Sequence, residues 1–324
     1  MRPKVLHAEA DLWAEEARQS LEEVAEVEAA TLDRGALLAR LATVDALIVR
    51  LGHQIDSELL AAAPRLRWVA SATTGLDHID LGATRARSIE VVSLRGETDF
   101  LEKIPATAEH TWALLLALLR HLPAAFSDVR AGHWRRELFR GRELHGRNLG
   151  IVGIGRVGRQ VAGFGLAFGM RVAAYDPAPD LGKIPPGVEL CTHLDALLVH
   201  SDVLCLHAPL DEQTRGLLGE RELALLPPGA FLVNTARGGL LDEKALVKAL
   251  ESGHLQGAAL DVVAAERDAE ARQHGEIAGY LRRHGESGRL LVTPHLGGAT
   301  FDSMARTEIF IARKLAASLA GASF

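Results

Sequence analysis

The chain has 324 residues, more than one hydrophobic core usually organises, so we expect about two domains. Hydrophobic residues make up 48% and charged residues 24%, which is typical of a globular enzyme. The formal net charge of −6 gives no reason to expect nucleic acid or an anionic membrane as a partner. Cys191 and Cys205 lie in apolar stretches without C-x-x-C spacing, so neither a disulfide framework nor a metal site is expected.

The N-terminus has no long apolar run after its basic residues, and the longest apolar run, 113–119, is too short to span a bilayer. A cytoplasmic protein that works away from membranes is therefore expected.

Strand-like and helix-like stretches alternate over the first hundred residues. Apolar runs predict strands at 45–52, from 66 onward and at 89–94, and DSELLAAAP (56–64) predicts a short helix that ends at Pro64. This βαβ rhythm predicts a small parallel sheet.

The pattern changes near residue 106. ATAEHTWALLLALLRHL predicts a buried helix over 107–121, because its apolar residues lie on nearly all sides. The arginine-rich stretch 126–147 follows and contains Trp134 and Phe139; it fits a solvated arm and an intersubunit arm equally well.

From residue 149 a longer βαβ series begins. It contains a strand (149–152), a helix (156–169), further strands ending in YDP, LHAPL and LVNTA, and a last strand over 290–295. An amphipathic helix at about 303–320 closes the chain.

The turn GIGRVG (153–158) joins the first strand and helix of this series and fits G-x-G-x-x-G. Gly153 allows the tight turn, Gly155 lets the backbone approach a pyrophosphate, and Gly158 lets helix and strand pack closely. The helix N-terminus then offers unpaired N–H groups to the phosphates.

Asp176 ends the next strand, at the spacing expected for a carboxylate that binds the adenosine ribose. A carboxylate suits a free 2′-hydroxyl and repels a 2′-phosphate, so NAD is favoured over NADP. The alternative is that Asp176 merely begins the D-P-A-P turn.

Polar residues follow three later strands: Arg237, then Asp261 with Glu266, then His295. The carboxyl ends of parallel strands are where ligands bind in open α/β sheets. Taken singly, Arg237 and Glu266 also fit an interdomain salt bridge.

Together, GIGRVGRQVA, HAPL with Thr214, NTARGGLLDEKAL, GAALDV-x-x-x-E and TPHLGGAT resemble the D-isomer-specific 2-hydroxyacid dehydrogenase family over most of the chain. The resemblance implies an NAD-dependent oxidoreductase that interconverts a 2-keto acid and a D-2-hydroxy acid. It places the family's catalytic set on Arg237, Glu266 and His295. Histidine suits proton transfer to the carbonyl oxygen, a neighbouring carboxylate favours the imidazolium, and arginine can hold the substrate carboxylate.

Matching the family implies further cofactor contacts beyond the glycines and Asp176. They fall on Thr107, Arg156, Val157, His207, Pro209, Thr214, Thr235, Ala236, Asp261, Gly297 and Gly298. His207 fits a packed neutral residue equally well.

On the substrate side, the turn ASATTGLDHID resembles the family segment whose backbone N–H groups hold a substrate carboxylate. It assigns Thr73, Thr74 and Gly75 to the substrate, and Arg50 lies at a position that is often arginine and sometimes used for a substrate phosphate or carboxylate. Leu51 stands where serine is common, which argues against a phosphoglycerate-type anion site; Arg50 also fits a plain surface residue.

Two features depart from the family pattern. Arg267 replaces the proline that usually follows the catalytic glutamate, and the segment 267–289 is longer than usual and charged. It could tune substrate choice, cap the site or decorate the surface.

The resemblance implies two Rossmann-like domains with doubly wound parallel sheets, flavodoxin-like and dinucleotide-binding, the cofactor domain being inserted in the substrate domain. The expected boundaries are 1–103 plus 297–324 for the substrate domain and 104–296 for the NAD-binding domain, with a homodimer as the expected assembly. An NAD(H)-sensing dimeric interaction protein of the same fold, without metabolic turnover, is the alternative.

Overall fold

The computed structural model describes residues 2–285 and 288–321. The chain folds into two compact units, residues 1–103 with 300–324 and residues 104–299. The first boundary coincides with the expected one, and the second lies three residues later. Ala299 N donates to Leu296 O (2.8 Å), which keeps this turn with the second unit, and Thr300 caps the following helix.

The first unit is a five-stranded parallel sheet in the order β2-β1-β3-β4-β5, the flavodoxin-like order. The strands are β1 Lys4–His7, β2 Glu26–Ala29, β3 Ala46–Val49, β4 Trp68–Ser71 and β5 Glu90–Ser93. The helices are α1 Glu15–Glu22, α2 Arg34–Arg40, α3 Ser57–Ala61, α4 Leu81–Ala86, α5 Thr98–Leu101 and, from the C-terminal part, α14 Phe301–Ala320; a 3-10 turn spans Leu41–Thr43. Leucines, valines and isoleucines of β1, β3, β4 and the helices fill its core.

The second unit is a seven-stranded parallel sheet in the order β12-β11-β10-β9-β6-β7-β8. The strands are β6 Asn148–Val152, β7 Arg171–Tyr175, β8 Val188–Leu190, β9 Val203–Leu206, β10 Ala230–Asn234, β11 Leu255–Leu260 and β12 Leu290–Val292. The order reverses between β6 and β9, which is the switch point of a dinucleotide-binding sheet. The predicted α/β class with two parallel sheets is confirmed.

The helices of the second unit cover both faces of its sheet. They are α6 Ala106–Leu119, α7 Leu122–Arg130, α8 Arg156–Ala167, α9 Leu194–Leu198, α10 Glu220–Leu225, α11 Glu243–Glu251, α12 Ala269–His274 and α13 Glu276–His284, with 3-10 turns at Arg136–Phe139, Leu181–Lys183 and Gly238–Leu240. Alternate residues of β9 enter two cores: Leu204 and Leu206 face one, Val203 and Cys205 the other. A strand buried on both faces requires this all-apolar pattern.

Several predicted elements end earlier than expected, and for two of them the backbone shows the reason. α6 stops at Leu119 because His121 adopts a left-handed backbone (φ 53°). β12 ends at Val292 rather than at His295: Thr293 N still donates to Leu260 O (2.9 Å), but Pro294 has no N–H and His295 turns to a φ of 57°.

No single helix in the described part of the chain is long and apolar enough to cross a membrane. α6 and α7 reach that length and composition only as a pair, and they are bent by 62° at the break between them.

Candidate active site

In the glycine-rich turn between β6 and α8, Gly153 and Gly158 are closely packed and Gly155 faces open space. Gly153 has a φ of 89°, and a Cβ there would lie 2.6 Å from the amide nitrogen of Ala208. A Cβ at Gly158 would lie 2.1 Å from the carbonyl oxygen of Gly153, whereas a Cβ at Gly155 would meet nothing within 4 Å. The turn therefore leaves its free space at the N-terminus of α8, where a pyrophosphate can approach backbone N–H groups.

Arg156 and Val157 begin α8 at this opening. The Arg156 guanidinium donates to the carbonyl oxygen of Ile104 (3.0 Å), so the side chain also ties α8 to the start of the unit.

Asp176 lies at the end of β7, beside the same turn. Its carboxylate accepts from Ile154 N (3.0 Å) and from Ala178 N (2.9 Å). It therefore both starts the D-P-A-P turn and fixes the glycine-rich turn, and a half-buried carboxylate retains further lone pairs for a ribose hydroxyl. These residues fit the adenosine and pyrophosphate parts of a dinucleotide.

His207 and Thr214 follow β9. His207 is half-buried as a residue, but its Nε2 is buried and has no hydrogen-bond partner among the described residues. Burial lowers the pKa of His207 to about 3, so the ring is neutral near pH 7. Thr214 is partly exposed and donates to the carbonyl oxygen of Pro209 (2.7 Å), which closes a local turn.

Arg237 follows β10 in a turn that a buried asparagine organises. Asn234 is fully buried; its Nδ2 donates to Arg237 O (2.9 Å) and its Oδ1 accepts from Ala236 N (3.0 Å). Thr235 shares a hydrogen bond with Thr111 of α6 (2.7 Å between hydroxyl oxygens). Hydrogen bonds therefore hold the turn at Thr235, Ala236 and Arg237 in succession.

The structure brings His295 and Glu266 together. His295 Nδ1 lies 3.0 and 3.1 Å from the two Glu266 carboxylate oxygens, and each side chain is about a quarter exposed (26% and 27%). An ionised carboxylate only accepts, so Nδ1 carries the proton and Nε2 is the nitrogen left for a substrate. Arg237 follows the strand next to β11, at the same carboxyl edge of the sheet.

Asp261 holds the loop that carries His295. Its carboxylate, 1% exposed, accepts from Leu296 N (2.7 Å) and Gly297 N (2.7 Å) and from the Thr293 hydroxyl (2.6 Å). Burial alone would raise its pKa, but these donors and His110 together lower it, so the group is ionised. This anchoring holds His295 in its left-handed backbone conformation.

His110 completes this network from α6. Its Nε2 lies 3.1 Å from both Asp261 Oδ1 and Thr293 Oγ1. Since Asp261 accepts only, Nε2 must be the protonated nitrogen. Sequence reasoning missed His110, Thr293 and Asn234; the available signal was a polar residue in an otherwise apolar helix, loop or strand end.

Thr107, in the same helix, lies beside Gly297: a Cβ at Gly297 would come 3.3 Å from Thr107 Cγ2, while one at Gly298 would meet nothing within 4 Å.

In the first unit, the predicted substrate residues are tied to their own neighbours. The Arg50 guanidinium donates to Glu308 Oε1 (2.5 and 3.1 Å) and to the carbonyl oxygen of Asp11 (2.8 Å). Glu308 is 5% exposed at its side chain, so this ion pair is largely buried. Any substrate contact by Arg50 would compete with that pair.

The turn after β4 contains a chain of hydrogen bonds. Thr73 Oγ1 donates to Gly75 O (2.8 Å) and lies 2.9 Å from Ser71 Oγ, which lies 3.2 Å from Nε2 of the buried His78. Thr74 is exposed between them. The turn is preorganised by its own side chains.

Within residues 2–285 and 288–321, no group of three or more His, Cys, Asp or Glu side chains is placed to hold a metal ion.

Comparison with known proteins adds four similarities to this geometry. Residues 112–297 match the family described as "D-isomer specific 2-hydroxyacid dehydrogenase, NAD binding domain". A D-3-phosphoglycerate dehydrogenase of Mycobacterium bovis is 40% identical over 290 residues, 89% of this chain and 52% of the relative, so the chain spans about half the length of such relatives. A glyoxylate reductase of Thermococcus gammatolerans is 36% identical over 96% of this chain and 86% of its own length.

Among solved structures, a D-lactate dehydrogenase of Aquifex aeolicus in complex with NAD and lactic acid superposes with a TM-score of 0.84 at 26% identity, covering 98% of this chain and 96% of that one.

Proposed function

Because the chain belongs to the D-isomer specific 2-hydroxyacid dehydrogenase family and uses NAD as its cofactor, we propose that it interconverts a 2-keto acid and a D-2-hydroxy acid. The observation that carries this proposal is the His295–Glu266 pair. His295 Nδ1 lies 3.0 Å from Glu266 Oε1, which leaves Nε2 for a substrate.

In this proposal His295 is the acid and base. In the reducing direction, the protonated Nε2 gives its proton to the oxygen of the keto group, and in the oxidising direction it takes the hydroxyl proton back. Glu266 stabilises the protonated ring and fixes its orientation through Nδ1. Bound NADH supplies the hydride that the carbonyl carbon receives.

Arg237 binds the substrate in this scheme. Its guanidinium offers several N–H donors in one plane, which suits a carboxylate and an adjacent carbonyl oxygen. The guanidinium also donates to the carbonyl oxygen of Ala236 (2.7 Å), so the side chain has less freedom to lose when substrate binds.

We also propose a homodimer. Four large apolar side chains between residues 126 and 138 are exposed, among them Trp134 at 87% and Phe126 at 65%. Exposed apolar groups clustered in one segment favour burial against a partner, here a second copy of the chain. Light scattering of the protein and of a Phe126→Ser, Trp134→Ser variant tests this: the expected result is a dimer that dissociates in the variant.

A cytoplasmic location, without nucleic acid or membrane as partner, is proposed as well. It is supported by the net charge of −6 and by two free cysteines, which suit a reducing compartment.

The experiment that tests the activity is a kinetic panel with NADH. Glyoxylate, hydroxypyruvate, phosphohydroxypyruvate, pyruvate and larger keto acids are each supplied, NADH consumption is followed, and the product is resolved by chirality. We expect turnover of at least one acid and a D product. Tight NADH binding without turnover of any acid would contradict the proposal and favour the NAD(H)-sensing alternative.

A further inference from the structure

The charged segment after Glu266 is packed onto the second unit. Its second helix, α13, buries Ile277 and Tyr280 (6% and 2% exposed) in one of the two cores of that unit. Arg283 of α13 adds only an exposed ion pair with Glu251 of α11 (2.8 Å), which contributes little to this anchoring. Residues 286 and 287 of the segment lie outside the described residues. A helix with this much buried surface is a fixed element, so α13 does not open and close as a cover.

The first helix of the segment, α12, meets the backbone of the catalytic glutamate. The Arg272 guanidinium donates to the carbonyl oxygen of Glu266 (2.7 Å). Asp268 N donates to Ala265 O (2.8 Å), and the Asp268 carboxylate caps α12 through Glu270 N and Ala271 N (2.9 and 3.1 Å). Asp268 and Arg272 therefore hold the carbonyl oxygens of Ala265 and Glu266 in place.

The backbone at this place needs such support. β11 ends at Leu260, and Ala265 has a φ of 51°, a conformation that an L-residue adopts at a cost. On the other side, Ala264 N donates to the Glu243 carboxylate (2.5 Å). A rotation of the peptide between these anchors would swing the Glu266 carboxylate away from His295 Nδ1.

We propose that residues 267–285 form a brace, which is fixed to the core by α13 and holds the backbone at Glu266 in place. Arg272 is the positioning residue that connects this brace to Glu266. This inference rests on the proposed function for its catalytic consequence, but the contacts are independent of it. The usual proline after the glutamate is absent here, and the hydrogen bond from Arg272 restricts the same backbone.

The test uses Arg272→Ala, Arg272→Lys and the matched control Arg283→Ala, which removes a cation from the same segment away from Glu266. In Arg272→Ala we expect kcat to fall about three- to tenfold, the range for one hydrogen bond, with KM nearly unchanged. The pH at which reduction falls to half its plateau should move lower, because the carboxylate supports the protonated ring less well. Arg272→Lys should restore most of both, and Arg283→Ala should change neither.

A second readout does not depend on turnover. NMR titration of the His295 ring in the cofactor-free protein, assigned with His295→Asn, should show a lower midpoint in Arg272→Ala than in the wild type and Arg283→Ala. If Arg272→Ala and Arg283→Ala behave alike in kinetics and titration, the brace is wrong. If the wild type turns over no keto acid but the titration still shifts, the brace stands and the proposed function fails.

Discussion

The carboxyl edges of the two sheets carry similar polar residues that are used in opposite ways. In the second unit, Asp261 and Asn234 are buried and bind backbone groups, which leaves His295 and Glu266 paired and partly exposed. In the first unit, the charged candidate Arg50 is itself engaged, as the partner of the buried Glu308. A strand-end position therefore identifies where a site lies, whereas the hydrogen-bond partners decide which side chains hold the site and which remain for a ligand.

The largest effect should come from removing His295, the proposed proton donor of the second unit. We expect His295→Asn to lower turnover by about two to four orders of magnitude, the usual contribution of general acid catalysis, because the substrate oxygen loses its proton source. NADH binding, followed by fluorescence, should be nearly unchanged, since this ring is not part of the glycine-rich turn. Turnover within a few-fold of wild type would exclude His295 as the acid and base.

The next effect should come from the buried anchor beneath it. In Asp261→Asn, an amide N–H₂ must face the donors Leu296 N, Gly297 N or His110 Nε2, so at least one hydrogen bond becomes a repulsion. We expect unfolding of the protein to become easier by about 3 kcal/mol in urea titrations, and kcat to fall at least about tenfold as His295 is displaced.

Asp242→Asn is the matched control for that variant. Asp242 caps α11 of the same unit by accepting from Ala245 N (3.0 Å). It should cost at most about 1 kcal/mol, and kcat should be unaffected. Equal losses in the two variants would show that the anchor has no special relation to the loop.

In the first unit, by contrast, a substitution at the candidate substrate residue should lower stability and leave substrate binding nearly unchanged. Arg50→Met leaves Glu308 buried without its cation, so we expect a loss of about 3 kcal/mol in unfolding free energy. KM for the best keto acid should change by less than about twofold, because the guanidinium is already bound within the unit. A large rise in KM with unchanged stability would instead make Arg50 a substrate ligand.

The effect that is smallest at neutral pH, and that grows in acid, concerns one histidine in each unit whose ring is buried. Burial, with a further contribution from Arg50, lowers the pKa of His7 to about 3, and burial lowers that of His207 to about 3. In the unfolded chain both titrate near pH 6.5. The unfolded state therefore binds more protons between these values, and stability should fall as the pH decreases from about 6.5 toward 3, by about 1.4 kcal/mol per pH unit for each site.

Replacing either histidine removes its share of this slope. Urea titrations of His7→Gln and His207→Gln between pH 7 and pH 4 should show a flatter loss than the wild type. A slope that neither variant changes would contradict the assignment of acid sensitivity to these two rings.

The central strands could be predicted from sequence because both of their faces are buried and their residues are continuously apolar. The first strands could not: β2 reads EVEA and is mostly exposed at the sheet edge, so its sequence lacks an apolar run. β1, which lies beside it, also escaped prediction. The end of β12 was misplaced because the chain turns at a proline and a left-handed histidine, which hydrophobic periodicity does not register.

The site was predictable to a similar depth. His295 and Glu266 could be predicted because they lie in the motifs TPHLGGAT and GAALDV-x-x-x-E, and the structure places their side chains in contact. Whether Asp261 also reaches the cofactor stays a prediction, since the same carboxylate type serves as ligand and as anchor. His110 could not be assigned, because its role exists only once α6 lies beside the end of β11.

The left-handed backbone at His295 sets folding against activity at a single residue. An L-residue in that conformation costs roughly 1 kcal/mol, and glycine or asparagine would occupy it more easily. Selection for thermal resistance alone should therefore tend to replace this histidine. A relative that retains this histidine should therefore be under selection for catalysis. A relative that has lost it should have a function other than catalysis.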